Sequence, residues 1–144
     1  MRIGVNGILM RDGKILVVEI NDNSGLHYNL PGGGVEDGEL IQDALRRELL
    51  EEASLSDVSV GRLILVWEYV PTAENAPYGT THKVHHVFEI HTNEEPTFPT
   101  THDQNHTGLK WLPISELATA PLIPNLSIIN ELLDQPRDVY FLKI

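Results

Sequence analysis

The sequence predicts an α/β fold in which a mixed β-sheet is covered by helices on two sides. Three observations carry this expectation. Apolar, β-branched segments stand on both sides of one strong helical segment, the last segment is again helical, and the order along the chain reads β-β-loop-α-β-β-β-α. With 144 residues the chain is long enough to bury a core, so a single domain over residues 1–144 is expected.

Residues 3–10 and 14–20 read as paired strands, because Arg11, Asp12 and Gly13 between them carry the Asp-Gly dipeptide of a tight hairpin. After a polar stretch, HYNLPGGGVEDGE is read as irregular: its proline and four glycines oppose regular structure, and its acidic residues can open a helix. Residues 39–53, rich in Leu, Ala, Glu and Arg and free of Gly and Pro, form the best helix in the chain. Strands follow at 57–70 and 82–91, separated by a loop at 71–81 that is long for a compact domain. A polar stretch over 92–107 leads into Leu109-Lys110-Trp111-Leu112-Pro113, a short helix at 114–118 and an apolar helix near 125–133.

Composition narrows the function. Ten basic against 21 acidic residues leave a formal charge of −11, which opposes a grip on a nucleic-acid polymer, since that grip needs a basic face. An acidic pocket also repels a phosphorylated small molecule unless divalent cations stand between the two. The absence of cysteine excludes disulfides and thiolate metal sites, leaving oxygen or imidazole ligands. No apolar run reaches the roughly 18 residues of a membrane span. The first ten residues read as a strand rather than a secretion signal, so no membrane association and a cytoplasmic location are expected.

The helix carries the chemistry. At about 100° per residue, Ile41, Ala44 and Leu45 share one face, and Glu48, Glu51 and Glu52 fall within about 80° of Ile41 on that same stripe. Gln42, Asp43, Arg46 and Arg47 occupy the remainder, where a solvated face is expected. Three glutamates at i, i+3 and i+4 repel one another, and nothing basic shares their stripe. A hard divalent cation resolves the conflict, and Mg²⁺ is typically held by one or two carboxylates together with substrate phosphates. Upstream, Leu30-Pro31-Gly32-Gly33-Gly34 allows close backbone approach to a ligand, although it matches neither phosphate-loop nor dinucleotide-binding patterns.

Gly33, five residues, Glu39, seven residues and then Arg47-Glu48-Leu49-Leu50-Glu51-Glu52-Ala53-Ser54-Leu55 together resemble the Nudix box, Gx5Ex7REUxEExGU, with U a bulky aliphatic. Only the last glycine departs, being Ser54 here; in the family it ends the catalytic helix. The resemblance implies a Nudix-type α/β/α sandwich and hydrolysis of a diphosphate bond in a small nucleoside-diphosphate-linked substrate. ADP-ribose, nucleotide-sugar and nucleoside-triphosphate types all remain open. It implies Mg²⁺, with Mn²⁺ as a substitute, held by Glu48, Glu51 and Glu52 with the Gly32 carbonyl as an additional ligand. Arg47 would orient the carboxylates and Glu39 would support them, with Gly33 and Glu39 at the substrate. The intact glutamate core argues against a regulatory domain of the same fold without turnover. The missing cysteine argues against isoprenoid-diphosphate isomerisation.

The attacking water also needs a base outside the box, because committed metal ligands accept protons poorly. The family often draws it from a loop after the central strands, here 100–107, where Asp103 is favoured over His102 and His106. Tyr69 and Tyr78 border the long loop and are candidates for stacking on the substrate, whereas Trp67 and Tyr28 read mainly as core. The loop itself reads as a lid or as the contact of a homodimer, and the two stay open. His85 and His86, adjacent in a strand, point to opposite faces and so do not share an ion.

Overall fold

The computed structural model describes residues 1–74, 79–134 and 138–144. β1 (Arg2–Ile8) leads into β2 (Met10–Arg11) and β3 (Lys14–Asp22). The hairpin turns at Asp12 (φ 52°) and Gly13 (φ 73°), the paired positive φ angles that a two-residue turn needs to match strand twist. β4 (Gly25–Asn29) and β5 (Gly32–Gly34) precede α1 (Ile41–Ala53), then come β6 (Ser59–Tyr69), β7 (Lys83–His91) and β8 (His106–Pro113). A 3-10 turn at Ile114–Glu116, the short α2 (Ile129–Asp134) and β9 (Tyr140–Lys143) complete the order.

The strands form two sheets. A five-stranded mixed sheet runs β5-β1-β7-β6-β9, with β1 parallel to β7 and β6 parallel to β9. In the second sheet β3 pairs with β2, β4 and β8. Alternation along the central strands sends side chains to two apolar clusters. Leu16, Val5, Phe88 and Ile90 pack under α1 with Ala44, Leu45, Leu49 and Ala53. Ile15, Val17, Leu65 and Val87 face the other way, onto Leu126, Ile129 and Leu132 around α2. β3 is therefore buried on both faces, which explains its uninterrupted ILVV run.

Several expectations are corrected here. The glycine-rich stretch is not irregular: Gly32, Gly33 and Gly34 pair antiparallel with Asn6, Val5 and Gly4 as β5. A Cβ at Gly32 would lie 2.0 Å from the Val5 carbonyl oxygen, so only glycine lets the two backbones meet there. β4 and β9 were not anticipated, the 114–118 helix is a single 3-10 turn, and the helix expected near 125–133 is reduced to α2. Along α1 the fully buried apolar positions continue through Leu49 and Ala53, while Glu48 and Glu52 follow Ile41 on the neighbouring line of the same face, their side chains 16% and 12% exposed. Residues 75–78 lie outside the described residues, and with them Tyr78 and the centre of the long loop. Among the described residues no helix is long and apolar enough to cross a membrane.

The end of α1 bears directly on the Ser54 departure. Ser54 adopts the left-handed conformation (φ 57°, ψ 30°), its N–H reaching the carbonyls of Leu49 and Leu50. Leu55 N–H donates to the Leu49 carbonyl at 3.3 Å, and both leucines are buried in the α1 cluster. The cap thus forms without glycine, at the steric cost of a Cβ in that region. Ser54→Gly should raise stability by about 1 kcal/mol. The urea midpoint should rise at constant m-value with turnover unchanged; a lower midpoint would show that the serine contributes more than its backbone.

Candidate active site

α1 presents its carboxylates to the cleft because β5 and Arg47 hold them. Arg47 Nε and Nη2 donate to the two oxygens of Glu39, each at 2.9 Å, as a bidentate fork. Its Nη1 donates to Glu48 Oε1 at 2.9 Å, and Nη2 also reaches the Gly34 carbonyl at 3.0 Å. Glu51 lies 3.8 Å from the same guanidinium. The expected solvated position of Arg47 is thereby corrected: its side chain folds across the carboxylate stripe and supplies the cation the helical projection lacked. Arg47 holds the Glu39 carboxyl down to about 2, helped by the Glu36 N–H, and the guanidinium itself is shifted up by Glu39. With both oxygens bonded to Arg47, Glu39 latches the start of α1 to the carboxylate face.

Glu52 sits deepest, its side chain 12% exposed against 58% for Glu51. The Gly32 N–H donates to Glu52 Oε1 at 2.7 Å. Burial pushes the Glu52 carboxyl up to about 8; the Gly32 N–H opposes this, and the charges of Glu48, Glu51 and Asp103 add to it. Burial also raises Glu48, with Arg47 opposing. Gly33 abuts this group: a Cβ there would stand 2.5 Å from Glu48 Oε1, so the glycine makes room for the carboxylate.

The 100–107 loop closes the other side. Glu48, Glu51, Glu52, Thr101, His102, Asp103 and His106 line one cleft of about 360 Å³. His106 Nδ1 stands 3.7 Å from Glu52 Oε2, and burial lowers its pKa. Asp103 Oδ1 accepts the Asn105 N–H at 2.9 Å, and His102 contacts the Asp103 carbonyl through Nδ1 at 2.8 Å. The structure therefore brings Asp103 and both histidines to the carboxylates.

Among the described residues no three His, Asp or Glu side chains converge closely enough to hold a metal ion by themselves. Arg47 and the Gly32 N–H each retain one oxygen of a glutamate. What remains is an all-oxygen, electrostatically crowded and partly open set, which fits a hard cation whose coordination is completed by water and phosphate. A closed cage, such as a structural zinc site, does not fit it.

A second cavity, of about 220 Å³, adjoins through the Leu30–Gly32 segment and is lined by Asn6, His27, Leu30, Trp67, His85 and Pro124 among others. Trp67 and His85 stack at 4.2 Å with 11° between planes. Sequence reasoning did not bring Asn6 and His85 together in this cavity. The only available signal was a polar residue inside an apolar strand, which is common without function. Tyr69 lines this cavity but is 0% exposed, with its hydroxyl donating to the Gly79 carbonyl. It belongs to the cavity wall, and its covered ring is no stacking platform.

Comparison with known proteins follows the same lines. The chain is 29% identical over 116 residues to the nucleoside triphosphatase NudI of Escherichia fergusonii, covering 77% of this chain and 81% of that protein. Its fold is similar to that of a MutT NUDIX hydrolase from Burkholderia pseudomallei (TM-score 0.67, 25% identity, 94% and 98% of the two chains). An ADP-ribose pyrophosphatase from Streptococcus suis shares the fold at 19% identity (TM-score 0.66, 97% and 98% of the two chains). The NUDIX domain model matches residues 1–132, spanning β1 to β8, the carboxylate helix and the cleft loop, and the chain belongs to the Nudix hydrolase family.

Proposed function

We propose that this chain hydrolyses a nucleoside triphosphate, with Glu48, Glu51 and Glu52 holding a divalent cation against the phosphates and the Asn6–Trp67–His85 cavity receiving the nucleoside. One observation carries the reading: the Leu30–Gly32 segment has one end in an aromatic cavity and the other on Glu52, so a ligand with an organic half and a phosphate half spans the two. Similarity to a nucleoside triphosphatase over most of its length supports the triphosphate, as against the ADP-ribose type, for which only the fold is shared.

Mg²⁺, or Mn²⁺ in its place, supplies charge neutralisation of the phosphoryl oxygens when bound. The chain's own residues do the rest. Arg47 fixes Glu48 in place, and the Gly32 N–H fixes one oxygen of Glu52; the Gly32 carbonyl is assigned as an additional cation ligand. Water attacks a phosphorus, the bridging P–O bond breaks, and the leaving phosphate departs with the bond's electron pair. Asp103, in the cleft wall facing the glutamates, takes the water's proton, and the neighbouring His106, kept neutral by burial, leaves Glu52 without a competing cation.

Glu52→Gln should lower Mg²⁺-dependent turnover at least about a hundredfold while the protein stays folded. The same variant should alter the stability profile of the metal-free protein. Glu52 binds its proton more tightly folded, at about 8, than at its ordinary 4.5, so the folded state holds the extra proton across that window. Stability then falls as pH rises from 4.5 to 8, by an amount on the order of a few kcal/mol, and the variant should lack this component. Chemical denaturation with chelator at several pH values measures it; parallel wild-type and variant curves would overturn the burial argument.

Asp103→Asn should reduce kcat by about tenfold to a thousandfold, with His106→Ala and His102→Ala smaller in effect. A wild-type rate in Asp103→Asn would remove Asp103 as the base, and wild-type rates in all three variants would take the base away from this loop.

A further inference from the structure

We infer that Asn6 is a positioning residue that couples the nucleoside cavity to the cation-binding carboxylate Glu52. The inference rests on the function proposed above. Asn6 belongs to β1, is 9% exposed, and is one of the two buried polar or charged residues among those described. Both ends of its amide are engaged. Nδ2 donates to the Leu30 carbonyl at 3.1 Å, and Oδ1 meets His85 Nδ1 at 2.7 Å. Because Nδ2 is the donor toward Leu30, the oxygen toward His85 accepts, and His85 carries its proton on Nδ1. Burial, with Lys83 and His86 nearby, holds His85 down to about 4, so the ring is neutral at physiological pH and keeps this tautomer.

From Leu30 the connection is covalent and short. Pro31 accepts the Gly7 N–H at 2.9 Å through its carbonyl, and Gly32 then donates its N–H to Glu52. Gly32 lies directly opposite Asn6 in the strand pairing, and a Cβ on it would stand 2.7 Å from both the Asn6 Cα and Nδ2. There is no slack between the asparagine and the backbone that holds the glutamate. At the other end His85 is pinned by its stack on Trp67 in the cavity wall. A group seated in the cavity therefore bears on a series of direct contacts, Trp67 to His85 to Asn6 to the Leu30–Gly32 backbone, that ends on Glu52 Oε1 and so orients the carboxylate whose other oxygen is left for the cation.

A residue that only packs, one that only binds the nucleoside and one that positions Glu52 differ in measurable ways. The test uses Asn6→Ala, with Mn²⁺ binding read by electron paramagnetic resonance in the absence of substrate, and kcat and KM read for nucleoside triphosphates with Mg²⁺. Positioning predicts a Mn²⁺ dissociation constant raised about fivefold or more and kcat lowered about tenfold, in a protein that still melts cooperatively. Wild-type Mn²⁺ affinity would overturn the inference, whether KM rises, as for a nucleoside contact alone, or only the melting temperature falls, as for packing alone. If Asn6→Ala does not fold, Asn6→Asp keeps an acceptor for His85 and loses the donor to Leu30, and the same Mn²⁺ criterion applies to it. Failure of the wild type to hydrolyse any nucleoside triphosphate would count against the proposed function, and the Mn²⁺ comparison would still decide the role of Asn6.

Discussion

The guanidinium of Arg47 lies where three pieces of chain meet: the entry to α1 at Glu39, the carboxylate face at Glu48, and the glycine strand at Gly34. Arginine offers five donors in a rigid plane and cannot lose its charge, so it can bind two carboxylates and a carbonyl at once. A lysine at this point would satisfy the charge and not the geometry. Without that cation, Glu39, Glu48, Glu51 and Glu52 would concentrate negative charge at one end of a helix packed against apolar strands. With it, Glu39 and Glu48 are anchored and share one positive charge, while Glu52 remains crowded and buried, with its proton affinity raised. The site's demand for an external cation is what remains after Arg47 has been spent on two of the four acids.

The glycine strand is the complementary constraint. β5 is three residues long and pairs with β1 where side chains would collide with backbone or with the charged end of a side chain: Gly32 against Val5 and Asn6, Gly33 against Glu48, Gly34 against Arg2. These close approaches bring a backbone N–H to Glu52 and a carbonyl to Arg47. They also join the carboxylate cleft to the aromatic cavity, since the residue before Pro31 lines one and the residue after it serves the other. The two apolar clusters on either side of the sheets hold this junction in place, one through α1 and one through the α2 region. Catalytic geometry and core packing thus share the same strands.

Much of the fold and site was legible in the residues. The Asp-Gly turn, the long helix and the apolar strands stand where periodicity and turn chemistry put them. The box of glycine, arginine and glutamates located the cleft, because closely spaced like charges on one helix are costly enough to signal a purpose. The loop over 100–107 does reach the carboxylates. Other features were hidden for identifiable reasons. β5 was obscured because glycine propensity opposes a strand, and tertiary pairing with β1 overrode it. Arg47 was placed with the solvated residues because a helical projection assigns a long side chain to the position of its Cα and ignores its reach. Tyr69 bordered a loop in sequence and is core in space.

What the sequence by itself determined is therefore local and chemical: an acidic, cysteine-free chain with oxygen ligands at helical spacing, hairpin and cap positions set by backbone preference, and membership in a family marked by one motif. The left-handed cap at Ser54 shows that this motif tolerates a residue other than glycine when the Leu49–Leu55 packing holds the helix end. Only the tertiary structure decided which acid is buried, which is latched and which is open, and that Asn6 and His85, 79 residues apart, face each other beside the glycine strand. The physical reason is range. Propensity and spacing act over one or two turns of chain, whereas desolvation, hydrogen-bond partnership and cavity shape depend on residues that meet only when the sheets close.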